Sequence, residues 1–495
     1  MLTHGVRSSM FSGVSFVLDN QLVRLAFGRS SSLSPTTTVL NYLRSLPAHK
    51  GVKEGCAEGD CGACTVVLGE LGPDDQLQYR AVDSCLVFLP MLHGKHLITV
   101  ENLQSPDGNL HPVQDAMVET GGSQCGYCTP GIIMSLFSLY KTQDHPDRAE
   151  IDDALTGNLC RCTGYRPIVE AAARACVHNR IDHFTADEAA TVKLLRTIAH
   201  ETLHIKTAQQ EYFRPISLAE ALELKRDHQD AVVFCGATDI ALRVTKKHEL
   251  LANVIDLSGI DELRFTTSDQ TGITFGAGMT LTDVIPLVND RFPALADMLA
   301  VFGSPQIRNL ATLGGNLGTA SPIGDMLPVL MAYNARIVLQ NVGETREISI
   351  HDFFKGYRQT ERRPDELITR VIIPTVQQNT LVHSYKVSKR KDLDISTVSG
   401  GFRLQLNPHN NVVASIRLAY GGMAELVKRA RGAEQFLIGK KWERETIEQA
   451  MTIIDGEFTP ISDARGGAEF RRAAARNLLL KFWDDTRNGN TGVTA

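Results

Sequence analysis

Gly55-Cys56-Ala57-Glu58-Gly59-Asp60-Cys61-Gly62-Ala63-Cys64-Thr65 is the stretch on which the reading of this chain turns, and Cys85 follows on the next strand-like segment. The arrangement is C-x4-C-x2-C with a fourth cysteine downstream. Thiolates gathered in one loop need something to bind, and Gly55, Gly59 and Gly62 let the backbone fold closely around it with amides aimed at sulfur. Residues 1–13 lack the apolar core of a secretory signal. The ten cysteines therefore do not read as a disulfide framework, because a reducing compartment keeps thiols free unless a metal holds them. Eight of the ten lie in two groups before residue 163, and only Cys176 and Cys235 stand outside them. Zinc is the alternative occupant of the first group, but structural zinc sites usually pair their cysteines in two short knuckles rather than placing three in one glycine-rich loop.

The spacing of the first group is that of plant-type ferredoxins. Around it lie a hairpin-type alternation over residues 11–25, a helix expected over residues 38–46 and a strand over residues 64–68 leaving the loop. Together they predict an α+β, ubiquitin-like domain over residues 10–100, with Met10 as the start and the preceding residues a disordered extension. The second group is Gln124-Cys125-Gly126-Tyr127-Cys128-Thr129-Pro130-Gly131, completed by Asn158-Leu159-Cys160-Arg161-Cys162-Thr163-Gly164-Tyr165-Arg166-Pro167. C-x2-C with C-x-C again supplies four thiolates. Thr129 is the expected N-cap and Pro130 suits the first turn, so residues 132–140 read as a buried helix starting beside the metal, its dipole favouring negative charge there. A second helix follows Pro167, making residues 101–182 a small helical bundle. Taken alone, this second group leaves zinc open.

Residues 183–211 are polar and helical-looking and read as a linker. Beyond them, glycine-rich turns follow short apolar strands: Cys235-Gly236-Ala237-Thr238-Asp239, Gly276-Ala277-Gly278-Met279-Thr280 and Ala311-Thr312-Leu313-Gly314-Gly315-Asn316-Leu317. Such turns present backbone amides to phosphate, although each by itself more often just reverses the chain. None reads G-x-G-x-x-G, which argues against a Rossmann nucleotide site. With 495 residues, 43% of them hydrophobic and 22% charged, the chain is long and apolar enough for several real cores. A net charge of -5 gives no pull toward nucleic acid or anionic lipid. No apolar run approaches the roughly 18 residues of a spanning helix. A cytoplasmic protein whose partners are small molecules or another protein is expected.

Both cysteine groups, in this order and with these neighbours, resemble the molybdenum hydroxylase family. So does Gln306-Ile307-Arg308-Asn309-Leu310-Ala311-Thr312-Leu313-Gly314-Gly315-Asn316, with its continuation Ala320-Ser321-Pro322-Ile323-Gly324-Asp325-Met326-Leu327-Pro328. The resemblance implies a multidomain α+β protein: the ferredoxin-like domain, the helical [2Fe-2S] domain, a two-subdomain α+β FAD domain over residues 212–380 and a C-terminal α+β flavoprotein domain over residues 381–488. It implies one [2Fe-2S] cluster on Cys56, Cys61, Cys64 and Cys85, and another on Cys125, Cys128, Cys160 and Cys162. It also implies FAD contacts from Val233, Phe234, Cys235, Gly236, Ala237, Thr238, Asp239 and Ile240, from Thr312, Leu313, Gly314, Gly315 and Asn316, and from Asp325, Ile368 and Lys386, with Phe302 beside the isoalloxazine ring. Ala57 and Asp60 depart from the pattern, standing where relatives often carry glycine. Gln124 matches a residue that lies near the molybdopterin in the family, and no molybdopterin domain follows here.

The activity implied is that of the iron–sulfur and flavin subunit of a bacterial enzyme whose large subunit carries the molybdopterin. Hypoxanthine or xanthine would be oxidised to urate on that partner. Electrons would cross the Cys125 group and then the Cys56 group, and FAD would reduce NAD, within an expected heterotetramer. No catalytic residue is assigned among the 15 histidines or elsewhere in this chain. The basic run Lys386-Val387-Ser388-Lys389-Arg390-Lys391 reads as a solvated face before it reads as a nicotinamide or partner site. An equivalent subunit acting for an aldehyde or N-heterocycle hydroxylase, or a zinc-stabilised binding protein, are the alternatives.

Overall fold

The apolar alternation near the N-terminus becomes a hairpin in the computed structural model, which describes residues 13–28, 31–72, 74–177 and 182–487. The expected start at Met10 and the extension before it lie outside the described residues. The chain divides into two units, one of Met1–Leu224, His228–Ile260 and Ser304–Leu310, the other of Lys225–Asp227, Asp261–Gly303 and Ala311–Ala495.

In the first unit, Gly13–Leu18 turns back on Gln21–Ala26 through Asp19 and Asn20, whose φ values of 53° and 57° are what a tight two-residue hairpin demands. These strands belong to a five-stranded sheet ordered Gln21–Ala26, Gly13–Leu18, His96–Ile98, Thr65–Leu71, Leu77–Asp83, parallel only between the second and third. Successive side chains of a strand point to opposite faces. Val14, Phe16 and Leu18 thus enter one core with the helix Val39–Ser45, which Thr38 caps by accepting from the Asn41 N–H at 3.2 Å. Val17, with Val67, Tyr79 and Ile98, enters a second core with the helices Pro112–Glu119, Thr129–Thr142 and Arg166–Ala175. The ferredoxin-like α+β arrangement expected from the sequence is what forms.

The helix Thr129–Thr142 starts one residue earlier than expected. Cys128 holds the cap position, while the Thr129 hydroxyl turns to that of Ser123 at 2.7 Å and caps nothing. Pro130 stays in the first turn, where a missing N–H costs no hydrogen bond.

The segment read as a linker carries the helix His183–Arg196 and the strand Leu203–Lys206. Phe184 packs on Phe137 with ring centres 4.9 Å apart. Asp182 caps the helix by accepting from the Thr185 N–H at 2.7 Å, and lies 3.1 Å from both the His111 ring and the Lys141 ammonium. Burial alone would push the Asp182 carboxyl up, but the His111 hydrogen bond, the Lys141 charge and the Thr185 amide and hydroxyl together hold it below the usual carboxylate range. Burial also holds the His111 ring below its ordinary value, against the pull of Asp182. A second sheet, ordered Leu203–Lys206, Glu211–Arg214, Asn253–Asp256, Val232–Phe234, joins the first core through Phe234, which meets Phe88 and Tyr212 edge-on.

The second unit holds a five-stranded antiparallel sheet ordered Thr266–Ser268, Gly272–Gly276, Leu367–Pro374, Arg336–Gln340, Thr345–Ser349. It also holds a four-stranded antiparallel sheet of Thr380–Val387, Val398–Leu406, Val413–Gly421 and Lys428–Arg429. The helices Arg431–Leu437, Arg444–Glu457 and Ala468–Thr486 cover the latter, and Phe402, Tyr385, Tyr420 and Phe482 fill its core. The helix Met326–Ala332 approaches so closely that a Cβ on Gly401 would lie 2.1 Å from the Pro328 carbonyl oxygen. Among the described residues no helix is long and apolar enough to cross a membrane.

Two expectations follow from this packing. Gly401→Ala must force strand and helix apart and is expected to cost about 1–3 kcal/mol, read as a lower urea midpoint. Asp182 titrates below its unfolded value, so its stabilisation is complete above the ordinary carboxylate pKa and is lost as pH falls through the folded one. The buried neutral His111 also favours unfolding once pH falls below the ordinary imidazole value, so the two act in one direction. Asp182→Asn is expected to lower stability at pH 7 by about 3 kcal/mol, leaving Lys141 uncompensated, and to flatten the fall in urea midpoint between neutral and acid pH.

Candidate functional site

The loop of the first cysteine group folds through three left-handed residues, Ala57 (φ 55°), Gly59 (76°) and Gly62 (66°). This winding aims amides inward: the N–H groups of Glu58 and Asp60 donate to Cys56 Sγ at 3.4 and 3.3 Å. Asp60 thus delivers its amide to sulfur whatever its side chain is, whereas Ala57 holds a conformation that costs a non-glycine residue about 1 kcal/mol. A Cβ on Gly55 would lie 2.7 Å from Cys61 Sγ, so the glycine there lets the loop close on its own sulfur.

The four thiols meet in pairs. Cys56 and Cys61 share a hydrogen bond, which together with the surrounding amides lowers Cys56 to about 5 and raises Cys61. Cys64 and Cys85 are buried and likewise paired, and this pairing with burial pushes the Cys64 thiol up. Beside them Asp83 is fully buried, accepts from Cys64 Sγ at 3.5 Å, and is raised by burial to about 7. The Lys246 ammonium braces the loop from outside, donating to the Cys56 carbonyl at 3.0 Å and pairing with Glu58 at 3.4 Å.

The second group is also paired, Cys128 with Cys160 and Cys125 with Cys162. Burial and then the Cys160 partner raise Cys128 to about 12. The Thr163 hydroxyl lies 3.1 Å from Cys160 Sγ, and the Cys160 N–H donates to the Tyr165 hydroxyl at 2.8 Å. Cys125 and Cys162 are exposed, as are the large apolar side chains of Tyr127, Leu159 and Tyr165 around them. A backbone bond of 3.0 Å from the Leu159 N–H to the Cys61 carbonyl ties one ligand loop to the other.

A [2Fe-2S] centre takes two thiolates per iron, and two-by-two pairing is what it requires. A mononuclear zinc site instead gathers four ligands on one point. Thiols that meet two by two have the donor chemistry a binuclear cluster takes.

The residues assigned to flavin fall in both units. In the first, Val232–Phe234 leads into the turn 235–240, where Ala237 takes φ 59°. The Phe234 ring is spent on the core, which leaves its backbone as what it presents; Gly236 and Ala237 are buried too, whereas Val233, Cys235, Thr238, Asp239 and Ile240 are half-buried. In the second, two of the glycine-rich turns are zipped together: the Leu313 N–H donates to Met279, the Gly314 N–H to Ala277, and the Leu281 N–H to Ala311. A Cβ on Gly314 would lie 2.6 Å from that of Ala277, so only glycine fits. Thr312 caps the short helix Leu313–Thr319 by accepting from Gly315, and Ile368 lies buried beside Gly318.

Lys386 and Asp325 form a buried ion pair at 3.0 Å, and the same ammonium donates to the Val301 carbonyl at 2.8 Å, next to Phe302. This brings two assigned residues, Asp325 and Lys386, together beside the peptide that leads into a third, Phe302. Asp325 Oδ1 and Asn316 Oδ1 are buried with no hydrogen-bond partner among the described residues, polar capacity that fits a polar cofactor such as FAD. Nothing in the sequence pattern announces the pair, since Lys and Asp are ordinarily solvated.

Comparisons with known proteins agree with this arrangement. Residues 99–173 match the [2Fe-2S] binding domain model, residues 206–376 the FAD binding domain in molybdopterin dehydrogenase, and residues 383–486 the CO dehydrogenase flavoprotein C-terminal domain. Xanthine dehydrogenase of Emericella nidulans is 33% identical over 92% of this chain, and xanthine dehydrogenase 1 of Arabidopsis thaliana 32% identical over 92%. The chain spans only 37% and 39% of the lengths of those relatives. Carbon monoxide dehydrogenase from Hydrogenophaga pseudoflava superposes with a TM-score of 0.53 at 26% identity, over 55% of this chain and 95% of that one. Quinoline 2-oxidoreductase from Pseudomonas putida 86 gives 0.53 at 24%, over 58% and 100%, a likeness of fold. The chain belongs to the molybdenum hydroxylase family and corresponds to its iron–sulfur and flavin part.

Lys386→Met leaves Asp325 buried and uncompensated, a loss of about 3–5 kcal/mol in such pairs. The expected outcome is protein purified with little FAD, read by the flavin released on denaturation, while the iron content of the cysteine groups is unchanged.

Proposed function

We propose that this chain is the electron-transfer subunit of a xanthine dehydrogenase, working with a molybdopterin-bearing large subunit in a cytoplasmic heterotetramer. The domain borders follow the sequence reading: 10–100 and 101–182 for the two cluster domains, 183–211 for the connection, 212–380 for the FAD domain and 381–488 for the C-terminal flavoprotein domain. Bound to this chain, two [2Fe-2S] clusters would supply one-electron steps and FAD a two-electron store, so that electrons from hypoxanthine or xanthine, oxidised to urate on the partner, reach NAD.

The chain's own residues divide the work. Cys56, Cys61, Cys64 and Cys85 hold one cluster, with the Glu58 and Asp60 amides compensating charge on sulfur. Cys125, Cys128, Cys160 and Cys162 hold the other at the N-terminus of Thr129–Thr142, where the helix dipole favours negative charge. The residues around the zipped glycine turns, with Asp325 and Lys386, hold FAD. The observation that carries this reading is two sets of four free cysteines whose loops are tied together by the Leu159 N–H bond to the Cys61 carbonyl, with Cys125 and Cys162 exposed in one set and Cys64 and Cys85 buried in the other. Exposed Cys125 and Cys162 suit the entry point from a partner chain, and Cys64 and Cys85 an interior relay. Xanthine is favoured over an aldehyde or N-heterocycle by the identity to xanthine dehydrogenases across more than nine-tenths of the chain.

Anaerobically purified protein is expected to be coloured, with about four irons and one FAD per chain. It should oxidise NADH with an artificial dye and fail to oxidise xanthine until the molybdopterin subunit is added. Colourless protein carrying stoichiometric zinc overturns the reading, and xanthine turnover by this chain alone overturns the division of labour.

A further inference from the structure

Gln306 lies inside the stretch whose resemblance points to flavin, yet its side chain serves the cysteine loops. It is fully buried in the first unit, on the single helical turn Pro305–Arg308. Its Nε2 donates to Asn158 Oδ1 at 3.0 Å and to Ser135 Oγ at 2.9 Å, and lies 3.5 Å from Thr65 Oγ1.

The direction of every bond here is forced. A carbonyl only accepts, so the 3.1 Å contact from Asn158 to the Gly62 oxygen must come from Nδ2. That fixes Asn158 Oδ1 as the acceptor toward Ser135 Oγ, at 2.6 Å, and toward Gln306, which must then present its NH2. The Thr65 hydroxyl donates to the same Gly62 oxygen at 2.7 Å. Gln306 Oε1 is left buried with no partner among the described residues, a state that costs about 1–3 kcal/mol. A Cβ on Gly157 would lie 2.2 Å from that oxygen, so the amide is pressed against bare backbone.

The residues joined this way lie on the segments that carry the cluster ligands. Gly62 lies between Cys61 and Cys64, Thr65 follows Cys64, Asn158 precedes Cys160 by two, and Ser135 is on the helix that begins after Cys128. Two further residues hold this turn: Arg308 grips Asp153 through contacts of 2.6 and 2.7 Å, and Asn309, its C-cap, donates to the Ala81 carbonyl at 2.8 Å. An apolar filler would occupy this space without an unpaired oxygen. The amide is kept because it bonds both loops at once.

We infer that Gln306 is a positioning residue that sets the spacing between the two [2Fe-2S] clusters, by locking the Gly62 loop, the Asn158 turn and the Ser135 helix to one side chain. The inference rests on the two-cluster reading above. Tunnelling rate and magnetic coupling both fall steeply with separation, so this spacing decides how well one cluster passes electrons to the other.

The test uses the whole protein, purified anaerobically and reduced with dithionite, in unsubstituted, Gln306→Leu and Gln306→Glu forms. Leucine removes every bond; glutamate keeps the shape and removes the NH2 donors. Iron and flavin contents are measured, and the low-temperature electron paramagnetic resonance is examined for splitting caused by interaction between the reduced clusters. The expected result is unchanged iron and flavin with an altered splitting in both variants. Unaltered splitting in variants that retain iron overturns the inference. Should Gln306→Leu lose iron, Gln306→Glu decides by the same reading, and loss of iron from both means that Gln306 merely holds the fold together, which also overturns it. A single cluster signal in the unsubstituted protein sinks the two-cluster reading itself, before any variant is compared.

Discussion

The iron–sulfur part depends on bare backbone at Gly62. A side chain there would strike the Gly157 carbonyl, with Cβ 2.3 Å from its oxygen, and a side chain on Gly131 would strike the Gly62 carbonyl at 2.1 Å. Three cysteine-bearing segments thus meet peptide against peptide. Such close approach buries the Gly62 oxygen, and a buried carbonyl must find donors. Thr65 and Asn158 supply them, and their own polar atoms then require Ser135 and Gln306. One contact between glycines in this way dictates a run of buried polar residues that would otherwise be costly to enclose.

Much of this was legible before the fold was known, and the division between what was and was not has physical reasons. Cysteine spacing is local, so C-x4-C-x2-C states its chemistry directly, while C-x2-C and C-x-C supply four thiolates without saying which thiols pair across the two motifs. The period-2 pattern of residues 14–18 and the apolar run of residues 132–140 likewise determine a strand and a helix from neighbours alone. The start of that helix was misplaced by one residue because Ser123, six residues upstream, draws the Thr129 hydroxyl away from capping. The polar helix His183–Arg196 looked like a tether because its anchors, His111 and Lys141, lie 71 and 41 residues before Asp182.

In the second unit the same limit applies more strongly. Lys386, Asp325 and Val301 are far apart in the chain, and nothing in their neighbours marks them as a buried charge centre. The two zipped glycine turns were each visible, but their mutual hydrogen bonds were not, since backbone pairing at that distance carries no side-chain code. In the sequence Gln306 is one letter of a longer motif; its work beside the cysteine loops shows in contacts to residues 148 and 171 positions earlier.

The sheet that begins at Gly13–Leu18 has no solvent side at its centre, because its two faces belong to different hydrophobic clusters. Separating the chain between residues 100 and 101, where composition invites a border, would bare Val17, Val67, Tyr79 and Ile98 together as one flat greasy surface of the kind that aggregates. The two cysteine-bearing modules are therefore siblings that share a wall. A gene rearrangement could duplicate or transplant them only as a joined pair.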